Sequence, residues 1–295
     1  MLKKLAAIAA ACLLLAGCRP ALPQATYKTE PAAPETAQTP ATQPPYQFPE
    51  TVLVDDEHCT FTVKSIDPGG TFGYTLQVFL ENKTELELMF SLREVSVNGY
   101  MCEPYFAASV SPGMKANEQV SFLQKDLAAN GIADVTDIAF TLAVYDNTDI
   151  MAEYLVDEDF TVYPQGEAAY KTYARQPQAS DIVLFDNASC AMTVTGFPED
   201  SIWGYAMNVF LENRTHETLM FSASDVAVNG FMCEPYWTVE VAPGKKCNSQ
   251  ITWLDSELEE NGITRVEVIS LPVRVYESDD WMEGHILSET FTITP

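Results

Sequence analysis

The chain has 295 residues, of which 42 are acidic and 16 are basic, giving a formal net charge of −26 with 47 % hydrophobic residues. That apolar fraction is too high for a disordered acidic chain, and the length is enough for one large core or two ordinary ones. A charge of this sign repels phosphate backbones and anionic headgroups, so we expect no nucleic-acid partner and no electrostatic docking on a membrane.

The first residues of the chain combine positive charge, an apolar run and small side chains. Lys3 and Lys4 precede an apolar run over residues 5–15, too short for a spanning helix, and the tetrapeptide Leu-Ala-Gly-Cys ends at Cys18. Residues 1–17 therefore resemble a bacterial lipoprotein signal peptide with the tetrapeptide as its lipobox, which implies that the Cys18 thiol receives a diacylglyceryl group and becomes the new N-terminus. An ordinary secretory signal and an uncleaved anchor are the alternatives. The prediction is a lipid-anchored protein on the extracytoplasmic face of a bacterial cell membrane.

Residues 18–50 are rich in Pro, Ala, Thr and Gln and show no apolar periodicity. Such a segment cannot bury a core, which predicts a disordered, extended tether. In polyproline II at about 3.1 Å per residue it would reach on the order of 90 Å. A spacer of unselected length is the alternative.

The rest of the chain is a duplicated domain. Residues 52–164 match residues 183–295 at a constant offset of 131 positions without a gap, and about two residues in five are identical. The longest shared block begins at Val97 and reads Val-Asn-Gly-Tyr-Met-Cys-Glu-Pro-Tyr. We therefore predict repeat 1 over 51–164 and repeat 2 over 183–295, with a linker over 165–182.

Within each copy the apolar residues alternate with polar or smaller ones. This period, clear over residues 74–81 and 138–144, is typical of strands with one buried face. Asn98-Gly99 predicts a two-residue hairpin turn with positive φ at both positions, and Pro112-Gly113 predicts a further turn. Pro272 predicts an edge strand.

One short helix is expected in each copy. In repeat 2 it is predicted over residues 255–261, with Ser256 and Glu259 at the spacing of a capping box, and in repeat 1 over residues 125–130. About seven short strands and one helical turn in a domain of this size predict an antiparallel β-sandwich. The fold class is therefore all-β, with two tandem immunoglobulin-like antiparallel β-sandwiches after a signal peptide and a disordered Pro-rich linker.

The shared motifs, Gly-Tyr, Val-Phe-Leu-Glu-Asn and the nine-residue block at Val97, resemble a family of uncharacterised bacterial surface lipoproteins with tandem immunoglobulin-like domains. The resemblance covers both repeats. It implies the fold and a surface location, and it implies no activity.

Five cysteines follow Cys18, and four of them form matched pairs on apolar strand positions, with Cys247 as the fifth. Two interpretations remain open for the pairs. One is a disulfide in each repeat, closing a loop of about 43 residues and contributing about 3–4 kcal/mol. The other is buried free thiols that behave as small hydrophobic groups. The disulfides would join Cys59 to Cys102 and Cys190 to Cys233.

A duplicated domain provides a test for chemistry, because a reaction intrinsic to the domain needs its residues in both copies. None of the three histidines has a histidine at the matching position, and there is no Gly-x-Ser-x-Gly or phosphate-binding motif. We therefore expect no catalytic residues, no cofactor and no enzymatic activity. The acidic runs at 55–57, 157–159 and 279–280 lack the spacing of a Ca²⁺ loop, so they are interpreted as solvated loops and no metal site is predicted.

Aromatic residues are the remaining candidates for contact. All four tryptophans lie in repeat 2, opposite large apolar residues of repeat 1, which favours packing over sugar stacking. Phe79 and Phe210 occupy the otherwise polar side of their strands in both copies, which predicts a contact surface or a position under a loop. Trp281 is a third candidate contact residue. The tryptophans are Trp203, Trp237, Trp253 and Trp281.

These observations favour a non-catalytic binding or interaction role at the cell envelope, with an envelope protein or a polysaccharide as partner. Two alternatives remain. One is a structural spacer or accessory subunit of an envelope complex, and the other is a carbohydrate-binding module that uses the repeat 2 aromatics.

Overall fold

Repeat 1 folds as nine strands and one short helix. The computed structural model describes residues 47–149, 151–199, 201–280 and 284–295, so the signal peptide, most of the tether with Cys18, and Trp281 lie outside the described residues. The elements of repeat 1 are β1 (Thr51–Asp55), β2 (Cys59–Gly70), β3 (Gly73–Asn82), β4 (Leu88–Val97), β5 (Tyr100–Met101), β6 (Ala108–Val110), β7 (Lys115–Phe122), α1 (Gln124–Ala129), β8 (Ile138–Asp146) and β9 (Val156–Val162).

Two antiparallel sheets enclose the core of repeat 1. One has the order β1-β2-β3-β7, and in the other β4 lies between β8 and the short strand β6, with β9 outside β8. In immunoglobulin terms β2-β3-β7 correspond to A-B-E, with β1 as an additional strand outside A, and they face C′-C-F-G formed by β6-β4-β8-β9. This order confirms the predicted immunoglobulin-like sandwich. Alternate side chains of both sheets meet in the core, among them Phe61, Leu80, Phe90 and Leu142, each fully buried.

Repeat 2 has the same elements at the same offset. Its second sheet differs because the counterpart of β4 is interrupted and forms two strands, β13 and β14. The core again takes side chains from both sheets and includes Met192, Phe221 and Trp253. The elements are β10 (Ile182–Asp186), β11 (Cys190–Gly196), β12 (Gly204–Asn213), β13 (Leu219–Ala223), β14 (Ala227–Val228), β15 (Phe231–Met232), β16 (Trp237–Val241), β17 (Lys246–Leu254), α2 (Asp255–Glu260), β18 (Ile269–Glu277) and β19 (Leu287–Ile293).

The prediction of an edge strand at Pro272 is wrong. Pro272 lies in β18, which pairs with β13 and β14 on one side and with β19 on the other. Between the pairs Ala223–Val273 and Ala227–Ser270 the β13–β14 strand carries one extra residue, and Asp225 there has a φ of 60°. Pro272 faces this bulge, where the ladder is already interrupted, so its missing N–H is not needed.

The turn and helix predictions are confirmed, except for the capping box. Asn98 and Gly99 have φ of 51° and 78°, as the hairpin turn requires. Helix α2 begins at Asp255 after Leu254 and has no side-chain cap, so Ser256 lies inside its first turn. No described helix is both long and apolar enough to cross a membrane.

The asparagine that ends the Val-Phe-Leu-Glu-Asn motif ties two loops together in each repeat. The buried Asn82 Nδ2 donates to the carbonyl oxygens of Leu86 and Val110 at 2.7 and 2.8 Å, and Asn82 Oδ1 accepts from the backbone and hydroxyl of Thr84. Asn213 makes the corresponding bonds in repeat 2. The motif therefore has a structural role, since a buried amide must be fully hydrogen bonded.

Candidate functional site

The two repeats are joined edge to edge. Strand β5, at the hairpin of repeat 1, pairs in parallel with β17 of repeat 2, with Tyr100 opposite Lys246. The Lys246 backbone N–H donates to the carbonyl of Gly99 at 3.0 Å. This pair joins the first sheet of repeat 2 to the second sheet of repeat 1, giving one nine-stranded sheet.

Phe210 covers this joint from above the sheet. Its ring centroid lies 6.3 Å from that of Tyr100, and the side chain is 7 % exposed because it packs into the core of repeat 1. The guanidinium of Arg175 lies 5.6 Å from the Phe210 ring centroid, and the ammonium of Lys246 lies 5.8 Å from that of Tyr100. Two cations thus lie against a pair of aromatic rings to which each repeat contributes one ring.

The linker between the repeats is bound at the same joint. Arg175 forms a bidentate ion pair with Asp181 at 2.6 and 2.7 Å, and Lys246 Nζ donates to the carbonyl of Tyr173. Across the joint, Asn248 Nδ2 donates to Asn130 Oδ1 at 2.8 Å. These bonds fix the linker against repeat 2 and fix repeat 2 against repeat 1.

A cleft of about 1350 Å³ opens between the repeats beside this joint. Its walls come from β4 and β9 of repeat 1 and from β16 and the 3-10 turn Ser278–Asp280 of repeat 2. Among its described lining residues, six are carboxylates and one, Arg93, is a cation. The carboxylates are Glu94, Glu103, Asp157, Asp159, Glu240 and Asp279.

Hydrogen bonds orient four of these carboxylates. Arg93 pairs with Asp157, Thr141 donates to Asp159 at 2.6 Å and Ser278 donates to Glu240 at 2.9 Å. Glu94 accepts from the hydroxyl of Thr218, a bond that crosses between the repeats. Glu103 and Asp279 have no hydrogen-bond partner within the described part of the chain. The cleft therefore presents fixed negative charge and open acceptor atoms, which suit a cationic ligand.

Of the two interpretations of the cysteine pairs, the structure has the free thiols: Cys59, Cys102, Cys190, Cys233 and Cys247 are all unbonded and buried. Each matched pair has an alternative contact, because Cys102 Sγ accepts from Asn130 Nδ2 at 3.5 Å and Cys233 Sγ accepts from Asn261 Nδ2 at 3.8 Å.

Burial also determines the protonation of these thiols. Desolvation raises the pKa of Cys59 to about 12 and that of Cys102 to about 11. Desolvation, with the nearby Cys102 and Glu103, raises the pKa of Cys247 to about 12. These thiols are therefore neutral at physiological pH and are poor nucleophiles.

The acidic runs noted in the sequence have different positions. Asp157, Asp159 and Asp279 line the cleft, whereas Asp55 is exposed and pairs with Lys83 at 2.6 Å. Lys83, with the hydroxyl of Thr60, lowers the pKa of Asp55. Across the residues that the structure describes, no group of three or more His, Cys, Asp or Glu is arranged to hold a metal ion.

The aromatic candidates divide between core and surface. Trp253 and Trp237 are buried, which removes them from any sugar-stacking role, whereas Trp203 is 68 % exposed. Phe79, the counterpart of Phe210, is half-buried, with the ammonium groups of Lys64 and Lys115 within 6 Å of its ring centroid. The structure thus places Phe210 at the joint and Phe79 on the matching outer face of repeat 1.

Comparison with known proteins gives no family assignment. No family model matches the chain, and no curated protein matches it. Among solved structures the chain is similar to the complex of the chaperone CsuC and the tip adhesion subunit CsuE from archaic chaperone-usher Csu pili of Acinetobacter baumannii. The identity is 11 %, the match covers 75 % of this chain and 91 % of that one, and the TM-score is 0.21. A TM-score this low carries no argument, so the fold assignment rests on the strand order.

Partial signals for this site are present in the sequence. The position of Phe210 on a polar strand side, and the acidic runs at 157–159 and 279–280, all point to residues at the joint or the cleft. Arg175, Tyr173 and Glu94 were missed, because nothing local in the sequence distinguishes a linker cation or a single acidic residue. The repeat offset itself offered a signal, since Cys247 and Ala116 differ at a position that faces the joint in one copy only.

Proposed function

We propose that this chain is a non-catalytic binding protein of the bacterial envelope, held at the membrane by a lipid on Cys18, whose inter-repeat cleft receives a cationic segment of a protein partner. The observation that carries the binding role is the cleft itself, with six carboxylates and one cation among its described lining residues. Its volume of about 1350 Å³ exceeds that of most small-molecule pockets and suits a peptide segment.

Several features support this assignment over the other candidates. The buried thiols, the unmatched histidines and the fixed joint favour a rigid binding surface over a catalytic centre. Two of the three described tryptophans are buried, which leaves Trp203 alone as a described stacking platform and weakens the carbohydrate-binding alternative. The spacer alternative does not account for an acidic cleft built from both repeats.

The binding proposal is tested with a fluorescent oligoarginine peptide titrated against the full chain and against the double variant Glu103→Gln with Asp279→Asn. These two residues have no hydrogen-bond partner in the described structure, so their replacement removes charge without removing an internal contact. We expect the variant to bind several-fold more weakly. The matched control is Glu85→Gln with Glu259→Gln, which removes the same charge from exposed positions outside the cleft.

Equal loss of affinity in the variant and the control would mean that the peptide senses net charge and not the cleft, which contradicts the proposal. The lipid anchor is tested separately by cell fractionation. Cys18→Ser is expected to move the protein from the membrane pellet to a soluble fraction, and retention in the pellet would contradict the anchor.

A further inference from the structure

The joint between the repeats uses two surfaces, and the duplication supplies each of them a second time. Repeat 1 contributes the hairpin strand β5 with Tyr100, and repeat 2 contributes the edge of β17 with Phe210 above it. At the offset of 131 residues, the hairpin surface recurs in repeat 2 as β15 with Phe231. The edge surface recurs in repeat 1 as β7 with Phe79. One copy of each surface is thus used inside the chain. The other hairpin surface remains on repeat 2, and the other edge surface remains on repeat 1.

The second hairpin surface is open where the first is covered. Tyr100 is 5 % exposed, whereas Phe231 is 48 % exposed and its neighbour Met232 is 59 % exposed. Among the described strands, β15 pairs with β14 alone. Two adjacent large apolar side chains are therefore left in water at a strand edge, a feature that folded proteins normally cover.

The second edge surface is open in the same way. Strand β7 pairs with β3, and on its other edge the described residues supply a single bridge, from Tyr105 to Ser121. Lys115, which corresponds to Lys246, is exposed and lies far from that bridge along the strand. Phe79 is half-buried, whereas Phe210 at the joint is 7 % exposed.

The hydrogen bond between Asn248 and Asn130 across the joint also has counterpart residues, and these are not bonded to each other. Asn130 and Asn261 are held alike, each Nδ2 donating to a cysteine sulfur and to a helix carbonyl. Asn130 Oδ1 then accepts from Asn248, while Asn261 Oδ1 and the exposed Asn117, the counterpart of Asn248, have no partner within the described residues.

We propose that these two surfaces bind a second copy of this chain, with β15 of one molecule pairing in parallel with β7 of the next, Phe231 opposite Lys115 and packed against Phe79. The occupant is a second copy because the counterparts of these two surfaces fit each other in the joint inside the chain. The contact is head to tail, so each added molecule presents the same two surfaces again, and the assembly is a multimer that grows until its ends meet in a ring or continues as a filament. This inference is independent of the proposed cleft ligand.

The contact between molecules is weaker than the internal joint for three reasons. It is not tethered by a linker, so it has no effective-concentration advantage. In the internal joint Thr218 donates a hydrogen bond to Glu94. The matching positions are Glu87 and Asp225, so the contact between molecules brings two carboxylates together there instead. Repeat 1 also carries 19 acidic and 5 basic residues and repeat 2 carries 18 and 5, so the approaching molecules repel each other. Because salt screens like charges, assembly should increase with ionic strength.

The test is a cross-linking ladder in cells that express the full chain carrying Asn117→Cys and Asn261→Cys, together with Cys233→Ala, which removes the thiol that lies beside position 261. Since the internal counterparts of these side chains are hydrogen bonded at 2.8 Å, a short thiol cross-linker should join neighbouring molecules. We expect a ladder of integral multiples of the chain mass. A chain with either cysteine alone should not extend beyond a dimer.

Phe231→Asp in the same background is expected to reduce the multimers at least tenfold, because it places a charge against Phe79. The control is Phe72→Asp, which changes another exposed phenylalanine, 62 % exposed, at a distant turn and should leave the ladder unchanged. No ladder, a ladder insensitive to Phe231→Asp, or a cross-linked band whose mass is not a multiple of the chain's would each overturn the proposal, the last in favour of another partner.

Discussion

Burial opposes the ionisation of three thiols. It raises the pKa of Cys59 to about 12, that of Cys102 to about 11 and that of Cys247 to about 12. In the unfolded chain a thiol ionises near pH 9, so below that pH both states are protonated and the thiols contribute no pH dependence. Between pH 9 and the folded pKa, the unfolded state releases protons first. The free energy of unfolding must therefore fall as the pH rises through this window.

Cys247→Ala isolates one of these thiols and introduces the residue that repeat 1 has at the same position, Ala116. From pH 7 to pH 10 we expect the wild type to lose about 1.4 kcal/mol more than the variant, one thiol's share. Urea unfolding at both pH values, under reducing conditions, measures the difference. Parallel pH profiles for the two proteins would show that this thiol is not a buried neutral group.

At the scale of the element, the start of β3 and of β12 depends on a glycine. Gly204 has a φ of +128°, and a Cβ added there would lie 2.2 Å from the carbonyl oxygen of Trp253. Gly73 is constrained in the same way by Phe122. The close approach is what lets β12 lie directly against the end of β17, with Gly204 opposite Leu254.

Gly204→Ala is expected to lower the free energy of unfolding by roughly 3 kcal/mol or more, because the backbone of β17 must move away. Gly244→Ala is the matched control: its φ is +66°, but nothing lies within 4 Å of the added Cβ, so it should cost about 1 kcal/mol. Urea midpoints compare the two. Equal losses would mean that φ alone, and not the contact with Trp253, makes the glycine necessary.

How far the sequence predicts the structure depends on the range of the interaction. The Asn98-Gly99 turn and the strands around it are formed by neighbouring residues, so the local sequence is enough to predict them. The edge-strand prediction at Pro272 is wrong because a proline is tolerated in this inner strand only next to the bulge around Asp225, some fifty residues away in the sequence. The cleft was not predictable, since its shape depends on how one repeat sits on the other.

At the scale of the whole molecule, the part that the structure describes from residue 47 onward is two sandwiches that share a sheet, and Phe210 packs into the core of the neighbouring repeat. We therefore expect the repeats to unfold together. All four tryptophans lie in repeat 2, so fluorescence reports on that repeat and far-ultraviolet circular dichroism reports on both. In the wild type the two signals should give one coincident transition.

Phe210→Asp should remove roughly 3–5 kcal/mol of contact between the repeats and separate the two transitions. Phe79→Asp, the same change at the matching position of repeat 1, should leave them coincident at low protein concentration, because Phe79 is only half-buried and lies away from the internal joint. Separate transitions in the wild type, or equal effects of the two variants, would contradict the coupling through Phe210.

The shared register of the two repeats has a consequence for the kinetics of folding. Strand β3 meets β7 with Tyr74 opposite Phe122, and β12 meets β17 with Tyr205 opposite Trp253, the same pairing 131 residues later. In a fully unfolded chain β3 can therefore pair with β17 as well as with β7, which makes mispaired, swapped intermediates a trap during refolding. Synthesis from the N-terminus avoids the trap, because β3 finds β7 before β17 has been made.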